Sequence, residues 1–426
     1  MTEAPLRGIR VLEIGNYMAS PFCAMQLADL GADVIKIENP QGGDVVRQLG
    51  PFVDGESSPF IRLNRNKRSL ALDLKTEEGR AIFRKLAARA DIIVENLRPG
   101  TMRGLGLDDA SLRPDNPRLI YIAASGWGQD GPLKEQPGLD IMAQARSGLM
   151  SITGMPGGDP VKVGVPVCDL VCALYGALAA VAALHERDRT GLGQFIDVSL
   201  LESGVSFAIW EAGKYFATGE IPRALGSAHQ TNAPYQAIRS KDGWLTVGAA
   251  TEKLWIAFCQ ALELQSLLTD PRYGDMNRRW QNRESLIATI EASTMTQPTS
   301  HWLSVLTSAG VPCAPIEDYG QVFNDPHLLA RDYYWDAPHP TLGPVRQLGS
   351  PMRLSRTPLV RDRAGPLLGE DSAAILAELG YGPDAIDNLR KQNVIATPEA
   401  LSSESRSPHA ENFPPPSPGE GRVGAR

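Results

Sequence analysis

From Ile9 to Ala124 the chain alternates short apolar runs with amphipathic stretches, and this alternation limits what it can fold into. Ile9–Ile14 (IRVLEI), Val34–Ile37 (VIKI), Ser69–Leu74, Asp91–Glu95 (DIIVE) and Leu119–Ala124 (LIYIAA) read as strands. Between the first two, Ser20-Pro21 suggests an N-cap followed by proline at the first helical position, in a helix running to about Leu30 and stopped by Gly31. Glu77–Ala90 reads as a second helix. Strands separated by helices imply βαβ units and a parallel sheet, hence an α/β fold.

The pattern changes near Leu225. Gly243–Ala249 reads as a strand, Glu252–Ser308 is helix-rich, Pro338–Leu354 is strand-like and Asp371–Gln392 is helical. The expected organisation is a large α/β domain begun by residues 1–224 and completed by 331–396, with a smaller α+β domain (225–330) inserted. Residues 397–426, dense in Pro, Ser and Gly, are expected to be a disordered tail.

A net charge of −7, from 42 basic and 49 acidic residues, offers no general field for nucleic acid or anionic lipid. The β1 exit, Glu13–Ser20, has one glycine where a dinucleotide fingerprint needs three. GxxxxGK[ST], HExxH, GxSxG and clustered Cys/His spacings are missing, so no metal is expected. Five cysteines form no CxxC pair, no export signal is visible, and the longest apolar run, Leu170–Leu184, falls short of the roughly 20 residues a bilayer needs. A soluble cytoplasmic protein is expected, with no membrane or nucleic-acid partner.

Asp169 closes the segment Val163–Asp169, directly ahead of the apolar, small-residue-rich helix Leu170–Arg187, which is expected to be buried. At a helix N-terminus its anion is favoured, and such a carboxylate could attack a thioester carbonyl. Position alone favours the plainer role of helix cap. Asp140, after the glycine-rich loop Gly126–Pro132, reads as another cap. The basic run Asn64–Arg68 could bind phosphates, although a solvated charged face is commoner.

In order and spacing, several segments resemble family III CoA-transferases over about residues 5–395. They include LRGIRVLEIGNYMASPFCAMQLADLGADVIKIENPQGGD (6–44), NRNKRSLALDLKTEEGR (64–80), ADIIVENLRPGTMRGLGL (90–107) and GLDIMAQARSGLMSITG (138–154). VGVPVCDL (163–170), RTGLGQFIDVSLLES (189–203) and GPLLGED (365–371) follow. The resemblance implies a Rossmann-like large domain and ring-shaped chains interlocked as a homodimer. It implies CoA thioesters as substrates, no prosthetic group, and Asp169 as the nucleophile that forms an acyl-aspartyl anhydride. By the same resemblance Asp140 stands where formyl-CoA transferase has an assisting glutamate. Ala19, Leu72, Lys75 and Asn96 match CoA-contacting positions, and Arg103 lies one place from a family arginine. Met18 and Asn39 depart from that enzyme, and His229–Pro234 stands in the region of its glycine-rich lid. Those departures turn the expectation away from formate and oxalate, and the stretch GSAHQTNAPYQAIRSKDGW (226–244) resembles members that handle larger dicarboxylates such as succinate and glutarate. Two alternatives stand beside transfer. One is α-methylacyl-CoA racemisation, which needs a histidine where this chain has Leu139; the other is CoA binding without catalysis.

Overall fold

The computed structural model describes residues 3–398. Six parallel strands form its main sheet: β1 (Arg10–Ile14), β2 (Asp33–Glu38), β3 (Lys67–Leu72), β4 (Ile92–Glu95), β5 (Ile120–Ser125) and β6 (Phe195–Ser199). Side chains alternate across it. Leu12, Ile35, Ile93 and Tyr121 enter one core; Val11, Val34, Ile92 and Ile122 enter the other. Burial on both faces explains why these strands read as continuous apolar runs.

The helices divide between the faces. α1 (Ala19–Asp29) and the long α4 (Val167–Thr190) cover one, and α2 (Glu77–Ala87) covers the other; α3 (Asp140–Arg146) lies between the sheet's edge and the first turn of α4. Ser20 is not the cap of α1. The helix begins at Ala19, and the Ser20 hydroxyl donates to the carbonyl of Val94 on β4 instead (3.2 Å). α4 is long and apolar enough to span a membrane by composition, but Cys172, Gly176, Ala180 and Ala183 pack inward as a core helix. Its opposite side, with Leu174, Tyr175, Leu178 and Val181, is exposed, contrary to the expected all-round burial. The chain's own elements cover only one side.

After α5 (Ile209–Thr218), an antiparallel sheet forms from β7 (Tyr235–Arg239), β8 (Trp244–Gly248) and β9 (Cys313–Pro315). Helices over 252–308 close a separate core on it, with Trp255, Phe258, Leu286, Ile290, Trp302 and Leu306. A hairpin, β10 (Tyr334–His339) and β11 (Gly343–Leu348), packs on Phe60 and Ile61. The chain then returns to the main sheet. α6 (Ser372–Glu378) and α7 (Pro383–Lys391) join the core of α2, and β12 (Ile395–Ala396) pairs antiparallel with β3. The strand order is β12-β3-β2-β1-β4-β5-β6. Most of the tail expected to be disordered lies outside the described residues.

The basic run 64–68 is neither a phosphate site nor a solvated face. Arg65 makes a buried two-pronged bond to Asp29 (3.0 and 2.6 Å), Lys67 is sealed in an ion pair, and Arg68 bonds Asp33 and Glu378. The reason is topological: β3 lies between β2 and β12, so its charges meet partners inside the fold.

Candidate functional site

Strand β1 is followed by β2 on one side, whereas its other neighbour is β4, so the strand order reverses between β1 and β4. In open parallel sheets, ligands bind in the crevice at the carboxyl ends of the strands at such a point. Here the crevice is built around an asparagine. The Asn96 side chain accepts from Asn16 N–H (3.0 Å) and donates to the Asn16 carbonyl (2.8 Å). A Cβ at Gly15 would come within 2.6 Å of Asn96 Oδ1 and of Ser20. The single glycine therefore makes room for this clasp.

Beneath the loop lies a buried charge network. Glu13 pairs with Lys36 (2.6 Å) and Lys67 (2.8 Å); Lys36 also pairs with Asp44 (2.9 Å) and donates to the Gly15 carbonyl (3.0 Å). Burial alone would raise the Glu13 carboxyl, but the two ammoniums outweigh it and hold it below its ordinary value. Burial brings Lys67 down to about 8. At the end of β2, burial opposes ionisation of Glu38, yet the Arg47 guanidinium and Ser69 hydroxyl hold it down at about 2. These charges fix the β1 exit from below. Of these charges only Lys67 was singled out from the sequence, as part of the basic run 64–68, although Glu13 and Lys36 are charges inside otherwise apolar strands. Glu95, buried at the end of β4 and accepting from Leu97 N–H (2.7 Å), is pushed by burial up to about 8.

Asp169 lies in the first turn of α4 and does not cap it. α4 begins at Val167, and Asp140 does the capping from 29 residues away: its Oδ1 accepts from Cys168 N–H (2.9 Å) and Asp169 N–H (3.4 Å). Gln144, fully buried, donates to Asp140 Oδ2 (2.6 Å) and accepts from Val163 N–H (2.8 Å), tying the 163–169 segment to α3. The Asp169 carboxylate, half-buried, has no hydrogen-bond partner among the described residues. Burial first, and the Asp140 charge second, push it up to about 7, against the helix dipole that would favour its anion.

Ala19 joins these two features. It is buried with Ala143, Cys168 and Cys172, so the first turn of α1 abuts the first turns of α4. Further along, a Cβ at Gly176 would meet Cys23 Sγ at 3.2 Å, so the helices stay close. Ala19, Asn96, Asp140 and Asp169 are thus gathered at one edge of the sheet. Leu72 ends β3 with its side chain in the core and can offer a ligand only backbone. Lys75, just beyond, is exposed. Arg103 is exposed and paired with Asp108 (3.2 Å).

Residues 6–372 match the family described as CoA-transferase family III. The chain is 38% identical over 393 residues to the succinyl-CoA:glutarate CoA-transferase of Mus musculus, a match covering 92% of this chain and 90% of that protein. It is 39% identical over 389 residues to the succinyl-CoA:mesaconate CoA-transferase of Haloarcula hispanica (88% of this chain, 97% of that one). A solved structure, a CAIB/BAIF family protein from Brucella suis, is similar at 38% identity with a TM-score of 0.81, covering 89% of this chain and 100% of that chain.

Proposed function

Since the chain belongs to CoA-transferase family III and moves coenzyme A between carboxylic acids, we propose that Asp169 is its covalent nucleophile and that its acids are dicarboxylates. One observation carries the first part: a half-buried carboxylate in a helix's first turn makes no hydrogen bond, because Asp140 has taken over the capping. With a pKa of about 7 it is a stronger base and nucleophile than an ordinary carboxylate, yet substantially ionised at neutral pH.

The Asp169 carboxylate adds to the donor thioester carbonyl, and the C–S bond breaks to give an acyl-aspartyl anhydride and CoA thiolate. The thiolate attacks the aspartyl carbonyl, releasing the donor acid and leaving an aspartyl-CoA thioester. The acceptor carboxylate displaces the thiolate to form a second anhydride. Thiolate attack on its acyl carbonyl gives the new acyl-CoA and restores Asp169. Asp140 and Gln144 hold the 163–169 segment in place through these steps. The anhydrides must be kept from water.

Dicarboxylate substrates are supported by the names of both relatives, which pair succinyl-CoA with glutarate or mesaconate. The strand order supports a Rossmann-like large domain holding CoA through Ala19, the Leu72 backbone, Lys75, Asn96 and Arg103. The separate core over 233–313 supports a small domain between 225 and 330. Exposed apolar faces on α4 and α5 support a homodimer, and five free cysteines fit a reducing, cytoplasmic setting. Leu139, exposed and without an ionisable group, disfavours racemisation.

Trapping tests the reading. With succinyl-CoA followed by hydroxylamine, the peptide containing Asp169 is expected to carry the hydroxamate mass shift. Asp169→Ala should lose exchange toward glutarate and mesaconate while still binding CoA. Exchange that survives the substitution would refute the assignment.

A further inference from the structure

At Tyr17 the fold holds a residue against its own backbone preference. Its φ of +62° lies in the left-handed region, where Cβ crowds the following carbonyl. Six non-glycine residues among those described have positive φ, and four of them are Asp or Asn, which tolerate it. Tyr17 is the one aromatic. The conformation is imposed from below: Tyr17 N–H donates to buried Asp44 (3.3 Å), Asn96 clasps Asn16 on both sides, and Lys36 holds the Gly15 carbonyl. Yet the side chain is 50% exposed and makes no hydrogen bond or ring stacking with the described residues. A glycine would satisfy this turn without strain. A bulky ring kept in a strained turn, half open to solvent and with no hydrogen-bond or ring partner among the described residues, points to a ligand.

Its place narrows which part of the ligand. Asn16, just before it, is clasped in the crevice between β1 and β4, where a nucleotide sits in such sheets. Ala19, two residues after it, packs on Cys168 and Cys172, which flank Asp169. We infer that the Tyr17 ring packs on the arm of coenzyme A that joins the nucleotide to the sulfur. That arm is a chain of methylenes and amides. The ring face supplies apolar contact and the phenol a hydrogen bond to an amide.

The inference rests on the CoA-transferase reading, and one experiment separates the two. CoA binding by calorimetry, donor and acceptor KM, and thermal melting are measured for the wild type, Tyr17→Gly, Tyr17→Asn and Tyr17→Phe. Tyr17→Gly removes the ring and the strain together. It should melt at or above the wild-type temperature while binding CoA about tenfold more weakly or worse. The donor KM should rise in parallel, with the acceptor KM unchanged. Tyr17→Asn, which also accepts the angle, should behave alike, and Tyr17→Phe should retain most of the affinity. Wild-type CoA affinity in Tyr17→Gly or Tyr17→Asn would overturn the inference and leave Tyr17 a turn residue. A wild type that binds no CoA would overturn the transferase reading itself.

Discussion

An aspartate in the first turn of a 24-residue helix ordinarily titrates low, because the helix dipole favours its anion. At Asp169 burial and the neighbouring Asp140 charge reverse that, and the group titrates at about 7. Exchange should therefore rise with pH through about 7 as the nucleophile ionises. Asp140→Asn keeps an oxygen for Cys168 N–H but removes the like charge, so the acid limb should move to lower pH in initial rates over roughly pH 5 to 9. Stability runs the opposite way. A carboxyl whose folded pKa is raised above its usual 3.8 stabilises the fold while protonated, fully so below that value, and this is lost as pH rises through about 7. Asp169→Asn cannot ionise. It should melt above the wild type at pH values past about 7, with the gap closing toward about pH 4, and melting curves across that range check it. Asp169 was legible in the sequence by position, but its role was not. Whether an aspartate caps its own helix depends on what else can reach the free N–H groups, and Asp140 reaches them from another helix.

At the scale of elements, the strands were readable because burial on both faces leaves long apolar runs, and β1, β2, β4 and β5 fall close to where those runs stand. The start of α2 at Glu77 was readable too, but the start of α1 and the charge clusters were not, because tertiary partners settle them. Ser20 bonds β4 rather than its own helix, and Arg65 and Lys67 turn inward to Asp29 and Glu13. The buried network under the β1 exit is the element-scale device of this fold. Lys36→Met would leave Glu13 and Asp44 short of a cation in a sealed site, which costs about 3–5 kcal/mol in such pairs. Urea unfolding should show a loss of that size. Lys75→Ala, at an exposed position beyond β3, should change stability by less than about 0.5 kcal/mol.

For the whole molecule, the chain's path matters more than any single patch. It leaves the main sheet after β6, builds a second core, and returns through residues 350–370 to add α6, α7 and β12 beside β3. That return was suggested by a helical end piece, but its pairing with β3 was not legible, since two residues, Ile395 and Ala396, carry no strand pattern. Equally hidden was which side of α4 stays uncovered, because an all-apolar helix does not say how many neighbours its own chain supplies. Leu178 is 65% exposed, and on α5 Ile209 is 76% and Phe216 83% exposed. Apolar side chains left open on two helices are what a second copy would cover. An interlocked homodimer, which the family resemblance implies, would behave differently from an ordinary dimer: its subunits could part only by unfolding. Tagged and untagged wild-type dimers, mixed in native buffer and followed by native mass spectrometry, should yield no mixed dimer, even at dilutions that split a surface-docked pair. Unfolding the mixture together in denaturant and refolding it should yield mixed dimers in statistical proportion. Mixed dimers forming without denaturant would reduce the association to simple docking, with the apolar faces of α4 and α5 still as its surface.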